Sequence, residues 1–174
     1  MTKKRATTAP MDAAFAFLSS RARTAREVEE HLDALNYGEY EVYAAVERLK
    51  ELGYLDDEKF ARDFIDSRLR TKPVSRRKLR DQLIAHKLER HVIDEALLVI
   101  DDAAERNHAL LVAKKYLGQF TSLPEAERAR RVASRLATRG YDYDLIGEIV
   151  GGDGPIDYDP DEPEAEEEGD DAWA

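Results

Sequence analysis

The densest chemistry in this sequence is cationic. Between Arg68 and Arg80 stand seven basic residues, Arg68, Arg70, Lys72, Arg76, Arg77, Lys78 and Arg80, with no acid among them. A local charge of +7 over 13 residues, in a chain whose formal net charge is −10, predicts a contact surface for a polyanion or an acidic protein face. The plainer alternative is a solvated helix end and loop. A second basic series, Arg128, Arg130, Arg131, Arg135 and Arg139, follows later in the chain. Arg and Lys with little Asn or Gln suit phosphate contact better than the reading of base edges.

Other reactive residue types do not assemble into a site. His31, His86, His91 and His108 are scattered, and although Glu27 precedes His31 by one helical turn, no second pair completes a metal site. Asp56 and Asp57 follow Gly53 and precede an amphipathic segment, so either one explains itself as the cap of the next helix. No cysteine is present, and neither GxxxxGK[ST] nor GxGxxG occurs. With no nucleophile beside a base, neither catalysis nor a cofactor is expected. Tyr37, Tyr40, Tyr43, Tyr54, Tyr116, Tyr141 and Tyr143 fall mostly at turns, where a ring can cover the core and keep its hydroxyl wet; Tyr40 and Tyr43 are the two best suited to stack on a base.

The average charge hides a division. Residues 151–174 hold eleven acids and no Lys or Arg, leaving residues 1–150 at +1. Glycine, proline and self-repelling acids predict a disordered tail over 153–174, with Trp173 an incidental tail residue. No apolar run is long enough to span a bilayer, and the basic start MTKKRATTAP lacks the apolar core of a signal peptide. A cytoplasmic chain with no membrane contact is expected.

The elements that must carry the basic run are helices. The first is predicted from about Met11 to Ser20 with Met11, Ala14, Phe15 and Leu18 inward. Thr24 with Glu27 and Ser122 with Glu125 read as capping boxes, with Pro124 in the first turn of the second. Val28, His31, Leu32 and Leu35 line one predicted face, Val42, Ala45, Val46, Leu49 and Leu52 the next, and Phe60, Ala61, Phe64, Ile65 and Leu69 a third. A further helix is predicted from about Ala103 to Leu117, ending before Gly118. Shifting the sequence by 51 lays Val28, Leu32, Tyr37, Val42, Ala45 and Val46 on Leu79, Leu83, Leu88, Ile93, Ala96 and Leu97, and a further shift of 53 lays those on Val132, Leu136, Tyr141, Ile146, Ile149 and Val150. The expected fold is all-α: three tandem three-helix repeats in an elongated, curved rod. The expected divisions are a flexible basic 1–10, repeats at 11–55, 56–102 and 103–152, and the acidic tail.

Three stretches, LKELGYLDDEKFARDFIDSR, the basic SRRKLRDQL and the closing RLATRGYDYDLIGEIV, resemble the RecX family, bacterial regulators of the RecA recombinase. The resemblance covers residues 11 to about 152. It implies a non-enzymatic protein of recombination, DNA repair and the SOS response. Such a protein binds the RecA–DNA filament and inhibits its extension, ATP hydrolysis and strand exchange. Arg68, Arg70, Lys72, Arg76, Arg77, Lys78, Arg80, Arg128, Arg131 and Arg135 would then meet acidic filament surfaces or single- or double-stranded DNA phosphate, and a monomer suffices. His86-Lys87-Leu88 departs from the family's basic-Gly-apolar turn, which predicts a second turn built differently. Two readings compete: a helix-turn-helix-like DNA-binding protein acting through phosphates, and a helical adaptor for an unrelated protein.

Overall fold

The structure, a computed structural model, describes residues 8–151. Among them are nine α-helices and no strand: α1 (Pro10–Leu18), α2 (Ala25–Ala34), α3 (Glu39–Glu51), α4 (Asp57–Thr71), α5 (Arg76–Ala85), α6 (Arg90–Ala96), α7 (Asp102–Gln119), α8 (Glu125–Thr138) and α9 (Tyr143–Val150), with a 3-10 turn at Leu97–Val99. They group into two compact units. Unit 1 holds described residues 8–64 and 82–96, and unit 2 holds 65–81 and 97–151. The predicted tail and the basic start up to Thr7 lie outside the described residues.

In unit 1, α1, α2 and α3 pack on one another around Ala14, Val28, Leu32, Val46 and Leu49. In unit 2, α7, α8 and α9 do the same around Ala109, Ala113, Val132, Leu136 and Ile146. The two positions that lead each repeated stretch, Val28 and Leu32, Leu79 and Leu83, Val132 and Leu136, are all at 0% exposure. Helix periodicity thus chose the same inward pair three times.

The turns after α2, α5 and α8 share one hydrogen-bond pattern. Asn36, Lys87 and Gly140 take left-handed backbone at φ of 64°, 63° and 84°. Their N–H groups donate to Asp33, Ile84 and Ala137, and the next residues, Tyr37, Leu88 and Tyr141, donate back to Leu32, Leu83 and Leu136. This paired closure satisfies the last carbonyls of a helix and turns the chain sharply. The second turn keeps this geometry without glycine, with Lys87 accepting the left-handed conformation.

Several local expectations need correction. Phe15 is exposed and meets Tyr54 edge-on at 5.0 Å, because the small Ala13 and Ala14 form the buried face of α1. Leu52, at the C-terminal cap of α3, is exposed. The Thr24–Glu27 box forms, but the Ser122–Glu125 box does not. Pro124 disfavours helical backbone at Leu123, so α8 starts only at Glu125 with Pro124 as an extended N-cap. Helix α7 runs through the exposed Gly118 to Gln119, since its neighbours are good helix formers and nothing packs at the missing side chain.

Candidate functional site

The basic run divides by direction. Helix α4 carries Arg68 and Arg70 to its C-terminal end, where the dipole is negative and cations are favoured. Pro73 then holds the chain out of helical conformation, and α5 begins after Ser75. That serine is 1% exposed; its N–H donates to the Arg139 carbonyl at 3.0 Å, and its Oγ accepts the Lys78 N–H at 3.1 Å. Helix α5 is therefore capped, and its first turn is tied to the turn after α8.

Three of the basic side chains turn toward that junction. The Lys78 Nζ donates to the Thr138 carbonyl at 2.5 Å, and Arg77 donates to the Gly140 carbonyl at 3.2 Å. Those carbonyls belong to the C-terminal end of α8, where orphan acceptors and the negative dipole end both favour a cation. Arg76 donates through its backbone to Glu105 at 2.9 Å, and through its guanidinium to the Ile100 carbonyl at 3.0 Å and the Asp102 carboxylate at 3.1 Å. Gly140 permits the close approach: a Cβ there would stand 2.7 Å from Ser75 Oγ and 3.0 Å from Lys78 Cβ.

Arg139, 3% exposed, is structural. Its guanidinium donates to the Tyr116 hydroxyl at 2.9 Å and the Pro73 carbonyl at 3.3 Å, and lies 5.6 Å from the Tyr116 ring centroid. Arg135 lies 5.7 Å from the same centroid. Burial pushes the Tyr141 phenol up despite the opposing charge of Arg139, so this turn tyrosine does not keep its hydroxyl wet.

The cations other than Arg76, Lys78 and Arg139 differ in exposure, Arg77 being exposed even as it donates to Gly140. Arg70, Arg77, Arg130 and Arg131 are exposed, whereas Arg68, Lys72, Arg80, Arg128 and Arg135 are half-buried. Arg131 also lies 3.7 Å from Glu127 on α8, a surface pair of small energetic weight. All ten predicted contact residues belong to unit 2, in whose described residues fifteen Lys and Arg face ten Asp and Glu, a net charge of +5. The described residues of unit 1 are the opposite: nine Lys and Arg against sixteen Asp and Glu give −7. The two basic series are thus brought into one unit, while acids collect in the other.

Unit 1 repeats the capping device with different chemistry. Thr24, at the start of α2, donates from its Oγ1 to the His86 carbonyl at 2.7 Å, and Glu27 Oε1 sits 3.0 Å from His86 Nδ1. The His86 ring also meets Phe60 and Phe64 edge-on, each at 5.2 Å. Burial works against the charge on Glu27, but hydrogen bonds from His86 and the Thr24 N–H, with the fields of His86 and Arg23, hold its carboxyl below the usual range. Asp56 caps α4 by accepting the Lys59 N–H at 2.8 Å, whereas Asp57 reaches back to the Ala25 N–H of α2 at 2.9 Å. Burial raises the Asp57 carboxyl, against the Ala25 hydrogen bond and Lys50.

His31 and His86 serve packing, whereas His91 is exposed beside Glu89. His31 stacks on Phe17 at 4.0 Å, and burial with the charge of Arg23 lowers its pKa. Among the described residues no group of three or more His, Asp or Glu is placed to hold a metal ion. Likewise, no described helix is long and apolar enough to cross a membrane. Reading the sequence did not single out Ser75, Glu105 or Gly140. The shift of 51 that aligns the apolar positions also lays Thr24 on Ser75, which was the available signal for that cap.

Comparison with known proteins agrees with this architecture. The family model for RecX, second three-helix domain, matches residues 56–97. Regulatory protein RecX of Chlorobium phaeobacteroides is 32% identical over 139 residues, covering 80% of this chain and 89% of the relative. That of Mycobacterium avium is 34% identical over 134 residues, covering 76% and 78%. The RecX of Clostridium botulinum Eklund 17B is 28% identical over 141 residues, and there the chain spans only 66% of the relative's length. The crystal structure of RecX from Lactobacillus salivarius shares the fold, with a TM-score of 0.68 at 21% identity over 82% of this chain and 92% of that one. With relatives above 30% identity matched over 78% and 89% of their own length, the chain belongs to the RecX family of regulatory proteins.

Proposed function

We propose that this chain is a non-enzymatic, cytoplasmic regulator that binds the RecA–DNA filament as a monomer and inhibits filament extension, ATP hydrolysis and strand exchange. Family membership supports the regulatory role. The observation that carries the contact surface is the charge of the described residues of unit 2, +5, with Arg70, Arg130 and Arg131 exposed. Outward cations meet acidic filament faces or DNA phosphate and speed encounter as much as they hold the complex. The inward Arg76 and Lys78 do a different job, keeping the α5 start in place beneath that surface.

The test is a titration of labelled protein at about 150 mM salt, where exposed charges are already well screened. One arm uses RecA filaments on single-stranded DNA, the other the same DNA naked. Preference for the filament, followed by a fall in its ATPase rate, is the expected result. Equal or stronger binding to naked DNA overturns the filament reading in favour of a phosphate-contacting DNA-binding protein, and no binding to either points to an adaptor for an unrelated partner.

A further inference from the structure

The basic surface of unit 2 leaves unexplained a groove in unit 1. Helices α2 and α3 flank an open cleft of about 630 Å³ whose walls include Arg26, Glu29, Asp33, Glu39, Tyr40 and Tyr43. Tyr40 is 81% and Tyr43 64% exposed. Three residues apart on one helix, they stand on the same side of α3. Two neighbouring tyrosines held in water are the residue type that anchors interfaces, because a rigid ring buries much area at little entropic cost.

The charge around them selects the partner. Three carboxylates border the cleft, and its one guanidinium is engaged: Arg26 lies 3.0 Å from Glu29 and 3.4 Å from Glu30. The described residues of unit 1 carry −7, so their field repels phosphate and disfavours a nucleic acid strand stacking on these rings. The group that satisfies both ring faces and carboxylates is a cation on a long apolar stem. A guanidinium stacks on a phenol face and can accept a bidentate carboxylate partner at its edge.

We infer that the α2–α3 groove of unit 1 docks an arginine- or lysine-bearing segment of a protein partner. The inference does not rest on the filament reading, and its test uses neither filament nor DNA. The full chain, labelled with nitrogen-15, is titrated with a hexa-arginine peptide at about 150 mM salt, and amide signals are followed residue by residue, which separates the groove from the acidic tail. Saturable shifts at residues 39–43 are expected. The Tyr40→Ala/Tyr43→Ala chain should lose roughly tenfold or more in affinity at that site, while Tyr40→Phe/Tyr43→Phe stays within about twofold, because the ring face and not the hydroxyl holds the cation. Both tyrosines are exposed, so unchanged signals at Ala14, Val28 and Leu32 in the core of unit 1 will report an intact fold.

Shifts confined to residues 152–174 overturn the inference, as does an alanine variant that binds like the parent. Shifts at 39–43 that grow with the chain's own concentration and no peptide also overturn it, assigning the groove to a second copy.

Discussion

Asp57 opens α4 but caps α2: its Oδ1 accepts the Ala25 N–H at 2.9 Å. Glu105, in the first turn of α7, does the same for the Arg76 N–H of α5, also at 2.9 Å. In both units a carboxylate from a later helix meets the positive end of an earlier one, where orphan donors and the dipole favour it. Asp57→Ala is expected to cost about 1 kcal/mol in urea unfolding, the usual loss on removing a cap. Asp57→Asn keeps the acceptor. Because burial raises the folded carboxyl above its ordinary 3.8, the parent's contribution is full below that value and is lost as pH rises through the folded pKa. The asparagine variant should therefore match or exceed the parent at neutral pH and lack that decline.

Glu27 carries the opposite sign. Its folded carboxyl lies below the ordinary 4.5, so its stabilisation is present above that value and is lost as pH falls through the folded pKa. Glu27→Gln should cost about 1 kcal/mol at neutral pH, and the gap to the parent should close in acid. A gap that is constant with pH would show that the His86 and Thr24 contacts do not depend on the charge.

The left-handed turns allow a paired test. Gly140→Ala combines a φ of 84° with a Cβ 2.7 Å from Ser75 Oγ, and should destabilise the chain by about 1–3 kcal/mol. Lys87→Gly relieves left-handed strain and gives up only the exposed ion pair with Glu30, so a gain of about 0.5 kcal/mol is expected. Thermal unfolding of the two variants should move in opposite directions.

Direction sorts the cations by consequence. Arg76→Ala and Lys78→Ala remove hydrogen bonds to Glu105-bearing α7 and to the end of α8, and each should lower stability by about 1–2 kcal/mol. Arg130→Glu lies on an exposed position and should change stability by less than about 0.5 kcal/mol, whereas Arg70→Glu sets an anion at the negative end of α4 and should cost about 1 kcal/mol. In filament titrations they should weaken binding about fivefold each at low salt, and less as salt rises.

The tail bears on the same surface. Residues 151–174 carry −11, and we propose that they compete with polyanions for the basic unit. A chain ending at Gly152 should bind the filament more tightly, chiefly at low salt. Unchanged affinity across a salt series would leave the tail a solubilising role.

Local signals were legible and distant ones were not. The inward pair repeated at Val28 and Leu32, Leu79 and Leu83, Val132 and Leu136 follows from period alone, and the Thr24–Glu27 box from spacing of three. The reach of Asp57 to Ala25 or of Lys78 to Thr138 spans 32 or 60 residues, and no periodicity encodes which acceptor a side chain will meet. For the same reason the basic run read as one surface, although Arg76 and Lys78 turn to carbonyls and carboxylates while Arg70 does not. The false box at Ser122 failed on a local rule, the restraint of Pro124 on its predecessor.

The clasp between a helix start and a later turn occurs at Thr24 with His86 and again at Ser75 with Arg139. By the shift of 53 that aligns the inward pairs, the equivalent place in the third repeated stretch is Arg128, which lies inside α8 because that helix begins at Glu125. The clasp therefore occurs once in each unit, and in the third repeated stretch the helix runs through the position that would carry it. The Arg128 N–H is spent inside its own helix, donating to the Pro124 carbonyl at 2.9 Å, so a duplicate of this stretch would carry the clasp only if its helix began a turn later, with serine or threonine at position 128.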